Sequence, residues 1–190
     1  MRGKYEQADE STLIRGCLHR HASAQKALYE RFSNSMMGVC YRYARNRADA
    51  EDMLQEGFIK VFSRLSQYRS EGSLEGWIRR IMVTTAINAL NRDKFLQKNI
   101  DLEQVGELPV EGPVANDTVG GELMQLLHRM PVGYKTIMNL YAIEGYSHKE
   151  IAQLLGIAES TSRSQYSRAR ELLINMRNQR LSPRAAEKYK

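Results

Sequence analysis

The stretch SHKEIAQLLGIAESTSRSQYSRARELL, residues 147–173, decides how this chain folds. Ser147 and Glu150 have the S-x-x-E spacing of a capping box, which predicts a helix start at that point. Ile151, Leu154 and Leu155 then form one apolar face. Ala152 is small where a second helix must cross closely. Gly156 follows the last apolar pair and accepts the left-handed backbone that ends a helix. Ile157 plugs the corner. A second helix is predicted to begin near Glu159 and to run past Leu173.

The second helix has two unlike faces. Tyr166, Ala169, Leu173 and Met176 recur at steps of three and four and are expected to face a core. Thr161, Arg163, Ser164, Ser167 and Arg168 lie on the other side. Hydroxyls and guanidinium forks are the groups that bind phosphate oxygens and base edges. Two short helices with this turn and this polar face make a helix-turn-helix pattern, its second helix placed to enter a major groove. The competing reading is an ordinary helical hairpin with a solvated basic face.

Working outward, 190 residues allow one domain or two small ones. Hydrophobic residues make up 42%, enough for a globular core. No apolar run approaches the ~20 residues of a spanning helix. The start, MRGKYEQADE, carries acidic residues where a secretion signal is apolar, so a cytoplasmic protein without membrane insertion is expected. Cys17 and Cys40 are too few and too far apart for a metal knuckle and are expected as reduced, packed thiols. No metal or cofactor is expected. Few strand-like alternations and only four prolines indicate an all-α chain.

Charge is divided along the chain. Residues 1–95 hold 16 Lys+Arg and 11 Asp+Glu, net +5; residues 96–122 are net −5; residues 123–190 are net +6. Two basic blocks with an acidic bridge suggest two nucleic-acid surfaces and a connector that avoids them.

Residues 10–21 read as a first helix with Leu13, Ile14, Cys17 and Leu18 inward. His19 and His21 point to different sides and are expected at the surface. Residues 24–45 form a longer helix, with Leu28, Phe32, Met36, Val39 and Tyr43 as its core stripe. Its end, YRYARNR, is either a nucleic-acid contact or a cationic helix C-terminus favoured by the helix dipole. Residues 48–67 form a third helix. Asp49, Glu51 and Asp52 crowd its first turn, Leu54, Phe58, Val61 and Leu65 make its buried seam, and Asp52, Gln55, Glu56 and Lys60 lie outside.

YRSEGSLEG, residues 68–76, is a loop with an aromatic at its entrance, and Ser73 can cap the helix that follows to about Phe95. There Trp77, Ile78, Ile81 and Thr85 are expected to pack inward. Arg79, Arg80, Thr84, Asn88, Asn91, Arg92 and Lys94 give polar and basic faces. Residues 96–120 lose the helical period and are broken by Gly106, Pro109, Gly112 and Pro113. A helix restarts over residues 123–130. Pro131 opens the next, which carries Ile137, Leu140, Tyr141 and Ile143 and ends at Gly145. The tail after Leu181 is expected to fray. The architecture expected is therefore two small helical domains, residues 1–96 and 121–190, joined by a flexible acidic linker, residues 97–120.

ADAEDMLQEGFIKVF, the helix over residues 77–92 and GIAESTSRSQYSRARELL occur in this order and spacing. Together they resemble the extracytoplasmic-function (ECF) group of bacterial RNA polymerase sigma factors, over about residues 10–178. The resemblance implies a non-enzymatic subunit that binds core RNA polymerase, directs it to promoters and helps melt the −10 region. It implies that Asp52, Gln55 and Glu56 meet core polymerase. The −10 element falls to the loop and the next helix, through Tyr68, Ser70, Glu71, Ser73, Arg80, Thr84 and Asn88. The −35 element falls to Thr161, Arg163, Ser164, Ser167 and Arg168. A loop that holds an extruded base needs a flexible backbone, polar edges and an aromatic wall; Tyr68 is either that wall or a residue closing the core. The linker either threads the polymerase channels or serves as a tether. Members of the group are often held by an anti-sigma factor, so the resemblance leaves such a partner open for this chain.

Some positions depart from the family pattern. Thr84 stands where many members carry Asn, Gln165 where Arg is common, Ala158 where a capping Ser is usual, and Ser162 where Val is usual. The last departure predicts a weakened inner face. A ligand-sensing helix-turn-helix regulator binding duplex DNA alone is the alternative function, and the first half shows no apolar pocket signature for it. An enzyme is not expected: there is no Walker loop, dinucleotide fingerprint, H-E-x-x-H or nucleophile elbow. His128 and His148 are isolated from carboxylates and are expected at the surface.

Overall fold

The structure is a computed structural model and describes residue 5, residues 7–96 and residues 119–186. The described chain is helical, without strands, and divides into two compact units, Met1–Lys94 and Phe95–Lys190. The linker expected over residues 97–120 lies almost wholly outside the described residues, and α5 already begins at Val119.

In the first unit, α1 (Glu10–Leu18) starts at Asp9, whose carboxylate accepts the Thr12 N–H at 2.6 Å. The helix is shorter than its apolar pattern suggested. Arg20 takes a left-handed backbone, φ 58°, which turns the chain, and His21 becomes the residue that opens α2 (Ala22–Tyr43). Leu18 is consequently exposed rather than part of the stripe. Gly16 permits the close crossing of α1 and α2: a Cβ there would lie 2.7 Å from both Ala24 Cβ and the Tyr5 ring. Tyr5 in turn hydrogen-bonds His21 Nδ1 at 2.8 Å.

All five predicted stripe residues of α2 are buried. So is the seam of α3 (Arg47–Arg64), through Leu54, Phe58 and Val61, with Leu65 in the 3-10 turn that follows. The Asn46 side chain caps α3 by accepting the Asp49 N–H at 2.8 Å. Arg45 and Arg47, at the cationic end of the YRYARNR run, pair with Asp49 and Glu51 of α3. Helix α4 (Leu74–Leu96) buries Leu74, Ile78, Met82, Thr85, Ala86 and Ile87. It crosses α3 at Gly57, where a Cβ would overlap Met82 Sδ. Trp77 and Ile81, expected inside, are only half-buried. Both thiols are in the core; burial pushes Cys17 up to about 11 and Cys40 up to about 12, which keeps them protonated.

The second unit consists of α5 (Val119–Arg129), α6 (Val132–Met138), a π-turn (Asn139–Ile143), α7 (His148–Leu155) and α8 (Glu159–Ala186). Its core joins Leu127, Met130, Met138 and Ala169, with Tyr166, Leu172, Leu173 and Met176 against them. The π-turn is a departure from the expected continuous helix. The Glu144 N–H reaches back five residues to the Asn139 carbonyl at 2.9 Å, and the widened turn leaves Tyr141 and Ile143 about 40% exposed (39% and 42%). His128 is half-buried rather than a surface residue, and burial lowers its pKa to about 4, helped by the charge of Lys135. Helix α8 extends to Ala186, into the segment after Leu181 that was expected to fray, and residues 187–190 lie outside the described residues.

Candidate nucleic-acid interfaces

The helix-turn-helix forms as its residues dictate. Ser147 and Glu150 make a complete capping box. The Ser147 N–H donates to Glu150 at 2.8 Å and the Glu150 N–H donates to Ser147 Oγ at 3.3 Å. Gly156 ends α7 with φ 66° and ψ 35°, the left-handed cap that a side chain resists. Ile151 and Ala152 are buried against α8. The turn carries α8 across α7, so its two faces part: Ala169 is fully buried, while Arg163, Ser164, Ser167 and Arg168 are exposed. Thr161 is half-buried at the edge of that face, and its carbonyl accepts the Ser164 hydroxyl at 3.1 Å. Arg163 pairs with Glu159 one turn earlier. Five residues chosen from the sequence thus share one end of one helix, four of them open to solvent.

Inside this motif Ser162 takes its expected inner position, and His148, expected at the surface, joins it. Ser162 is fully buried, and its hydroxyl shares a 3.0 Å hydrogen bond with His148 Nδ1. His148 is half-buried, stacked on Tyr141 with ring centres 4.3 Å apart and planes 12° apart. Tyr166 closes the group, 4.5 Å from Tyr141. The serine at this inner position is paired with a histidine rather than left unsatisfied. An unusual polar residue at an inner position was the available signal; its partner 14 residues earlier was not.

In the first unit the loop before α4 is tied by its own residues. Tyr68 is half-buried, its hydroxyl donates to the Gly72 carbonyl at 2.7 Å, and its ring centre lies 5.5 Å from that of Trp77. Ser70 and Gly72 have positive φ, 57° and 119°. Ser73 Oγ accepts the Gly76 N–H at 3.1 Å, the cap expected of it. Ser70, Glu71 and Ser73 are exposed around this tied backbone.

Arg80, Thr84 and Asn88, one turn apart on α4, line a single groove of about 270 Å³ together with Lys60, Arg64, Trp77, Ile81 and Thr85. Thr84 donates its hydroxyl proton to the Arg80 carbonyl at 2.8 Å, leaving its oxygen to accept. Two cations of α3, an indole and a row of small polar groups suit a single strand: phosphates to the cations, a base to the ring. Lys60 and Arg64 were not singled out for this groove, because their proximity to α4 is a tertiary fact. Their i, i+4 spacing on one face was the only trace in the sequence.

On α3, Asp52 and Gln55 are exposed, and among the described residues no ion pair engages Asp52. Glu56 is different. It accepts from Lys60 Nζ and from Arg92, each at 2.7 Å. The Lys60 hydrogen bond, followed by that of Arg92, holds its carboxyl below the usual range.

One helical unit carries a complete helix-turn-helix with an exposed polar and cationic face, and the other a groove lined by Lys60, Arg64 and Arg80. Family comparison makes this specific. Residues 28–95 match sigma-70 region 2, and residues 120–173 match sigma-70, region 4. The ECF RNA polymerase sigma-E factor of Haemophilus influenzae is 30% identical over 183 residues, covering 90% of this chain and 96% of the relative. The RNA polymerase sigma-H factor of Pseudomonas aeruginosa is 26% identical, covering 75% and 80%. The sigma factor RpoE of Bartonella quintana, solved with its anti-sigma factor NepR, shares the fold at a TM-score of 0.54 and 16% identity, over 80% of this chain and 96% of that one. The chain belongs to the ECF RNA polymerase sigma factors. Members of this family are transcription initiation subunits rather than enzymes. Among the described residues no helix is long and apolar enough to cross a membrane.

Proposed function

We propose that this sigma factor divides promoter recognition between its two units. Helix α8 enters the major groove of the duplex −35 element through Thr161, Arg163, Ser164, Ser167 and Arg168. The loop with Tyr68, Ser70, Glu71 and Ser73, and the groove with Arg80, Thr84 and Asn88, hold the melted −10 strand. Asp52, Gln55 and Glu56 on α3 meet core polymerase. The functional domains then correspond to residues 1–96 and 121–190, with residues 97–120 connecting them. The protein works in the cytoplasm, without membrane insertion, and is a candidate for control by an anti-sigma factor.

One observation carries most of this reading: the polar row of α8 is exposed opposite a buried face, on a helix fixed across α7 by the Gly156 turn. Melting the −10 region costs free energy, which base capture and phosphate contacts in the groove offset. Run-off transcription with purified core polymerase on pooled genomic promoters tests the division. Discrete new start sites, with two aligned upstream elements, are expected. Tight duplex binding by the chain alone, with no new start sites, would instead favour a stand-alone regulator.

A further inference from the structure

Glu56 stands at the seam between the outer face of α3 and the groove. Its Oε1 accepts from Lys60 Nζ and its Oε2 from Arg92, so one carboxylate engages two cations from different helices. Lys60 lines the groove and also donates to Thr85 Oγ1 at 3.3 Å. Arg92 lies one turn beyond Asn88, which lines the same groove, and its side chain is 64% exposed. Glu56 itself keeps 34% of its side chain in solvent, so a partner can reach it.

We propose that Lys60 and Arg92 are strand-contacting cations that Glu56 holds in the free chain, and that polymerase docking on Glu56 releases them to nucleic acid. The proposal rests on the polymerase-facing reading of α3. The carboxylate opposes strand binding twice: it occupies the two cations and it repels phosphate within a Debye length. The Arg92 pair is solvent-exposed and the Lys60 pair half-buried, with about a third of the Glu56 side chain still in solvent, so both can be exchanged for a polymerase cation or a phosphate. Core binding and strand affinity are thereby joined through one side chain.

The test is binding of a fluorescent oligothymidylate of about 15 nucleotides to the full free chain, followed by anisotropy over a range of salt. Glu56→Gln is expected to tighten binding about threefold to tenfold. It should also steepen the log–log salt slope by about 0.7 per released cation. Adding Lys60→Gln and Arg92→Gln to that variant should remove the gain. Glu30→Gln is the control: it makes the same charge change and frees Lys26 from an i, i+4 pair on α2. A gain from Glu56→Gln no larger than that from Glu30→Gln overturns the proposal.

In complex with saturating core polymerase the gain should vanish, because Glu56 is already engaged. A gain that persists undiminished overturns the coupling to polymerase. Core affinities of Asp52→Asn and Gln55→Ala are measured separately, and weakened binding is expected. Unchanged affinities beside a clear gain from Glu56→Gln would overturn the polymerase-facing reading of α3 while leaving Glu56 as a restraint on the two cations.

Discussion

The Ser162 hydroxyl and His148 Nδ1 lie 3.0 Å apart and join the two helices of the DNA-binding motif from inside. A buried polar atom left without its partner costs about 1–3 kcal/mol, whereas replacing both partners with apolar groups is nearly neutral. Ser162→Val is therefore expected to destabilise the second unit by about 1–2 kcal/mol in the presence of His148. Combined with His148→Phe, which retains the stack on Tyr141, the cost should fall well below the sum of the two single changes. Denaturant unfolding of the four proteins in a double-mutant cycle measures this; strict additivity would mean that the hydrogen bond contributes nothing.

Arg168 is exposed on α8, and among the described residues no ion pair engages it. Arg168→Ala should weaken binding to promoter DNA by about 1–3 kcal/mol if the guanidinium reads a guanine edge, and the loss should concentrate at one base pair. A loss spread evenly over all sequences, with a shallower salt dependence, would identify a phosphate contact instead. Competition among −35 variants distinguishes the two.

His128 has a pKa of about 4 in the folded chain, below its ordinary value of 6.5. Between those values the unfolded chain binds a proton that the folded chain does not, so stability falls as pH drops from about 6.5 toward 4 and is complete above 6.5. The side chain is only partly buried, so solvent screening reduces the effect to about 1–2 kcal/mol. Unfolding free energies from urea titrations at pH 7 and pH 5 should differ by that amount beyond the general acid effect. The difference should shrink in His128→Gln.

Gly156 sits at φ 66° with open space where a Cβ would project. The cost of a side chain there is conformational rather than steric. Gly156→Ala should destabilise by about 1–2 kcal/mol and Gly156→Asn by less, since Asn tolerates the left-handed region. Equal effects from both would mean that backbone strain is not the cause.

Local signals carried the sequence reading furthest. The capping box, the left-handed glycine and the stripes of α2 and α3 depend on residues within one or two turns, and each reappears where its spacing placed it. The candidate DNA face of α8 was legible for the same reason. Features that depend on a second element were hidden. Glu56 read as an outward carboxylate because Arg92, 36 residues later, has no local mark as its partner. His148 read as solitary because Ser162 and Tyr166 approach it only after the chain turns. Trp77 read as core because an indole at helical spacing ordinarily is, yet here it walls a groove. Arg20 was missed because a left-handed arginine breaks the usual preference for glycine, and the apolar pattern of α1 runs past it.

The π-turn at Asn139–Ile143 has a consequence for how this domain tolerates change. A π-turn accommodates one residue more than an α-turn, so the segment acts as an insertion absorbed without shifting the helices on either side. The extra residue turns Tyr141 out of the core and makes it a shelf for His148 and Tyr166. Shortening the segment by one residue would return it to an α-turn with the helices on either side in place. Tyr141 would then leave the stack with no contact residue having been substituted. At this point chain length, rather than side-chain identity, decides whether Tyr141 reaches the stack with His148 and Tyr166.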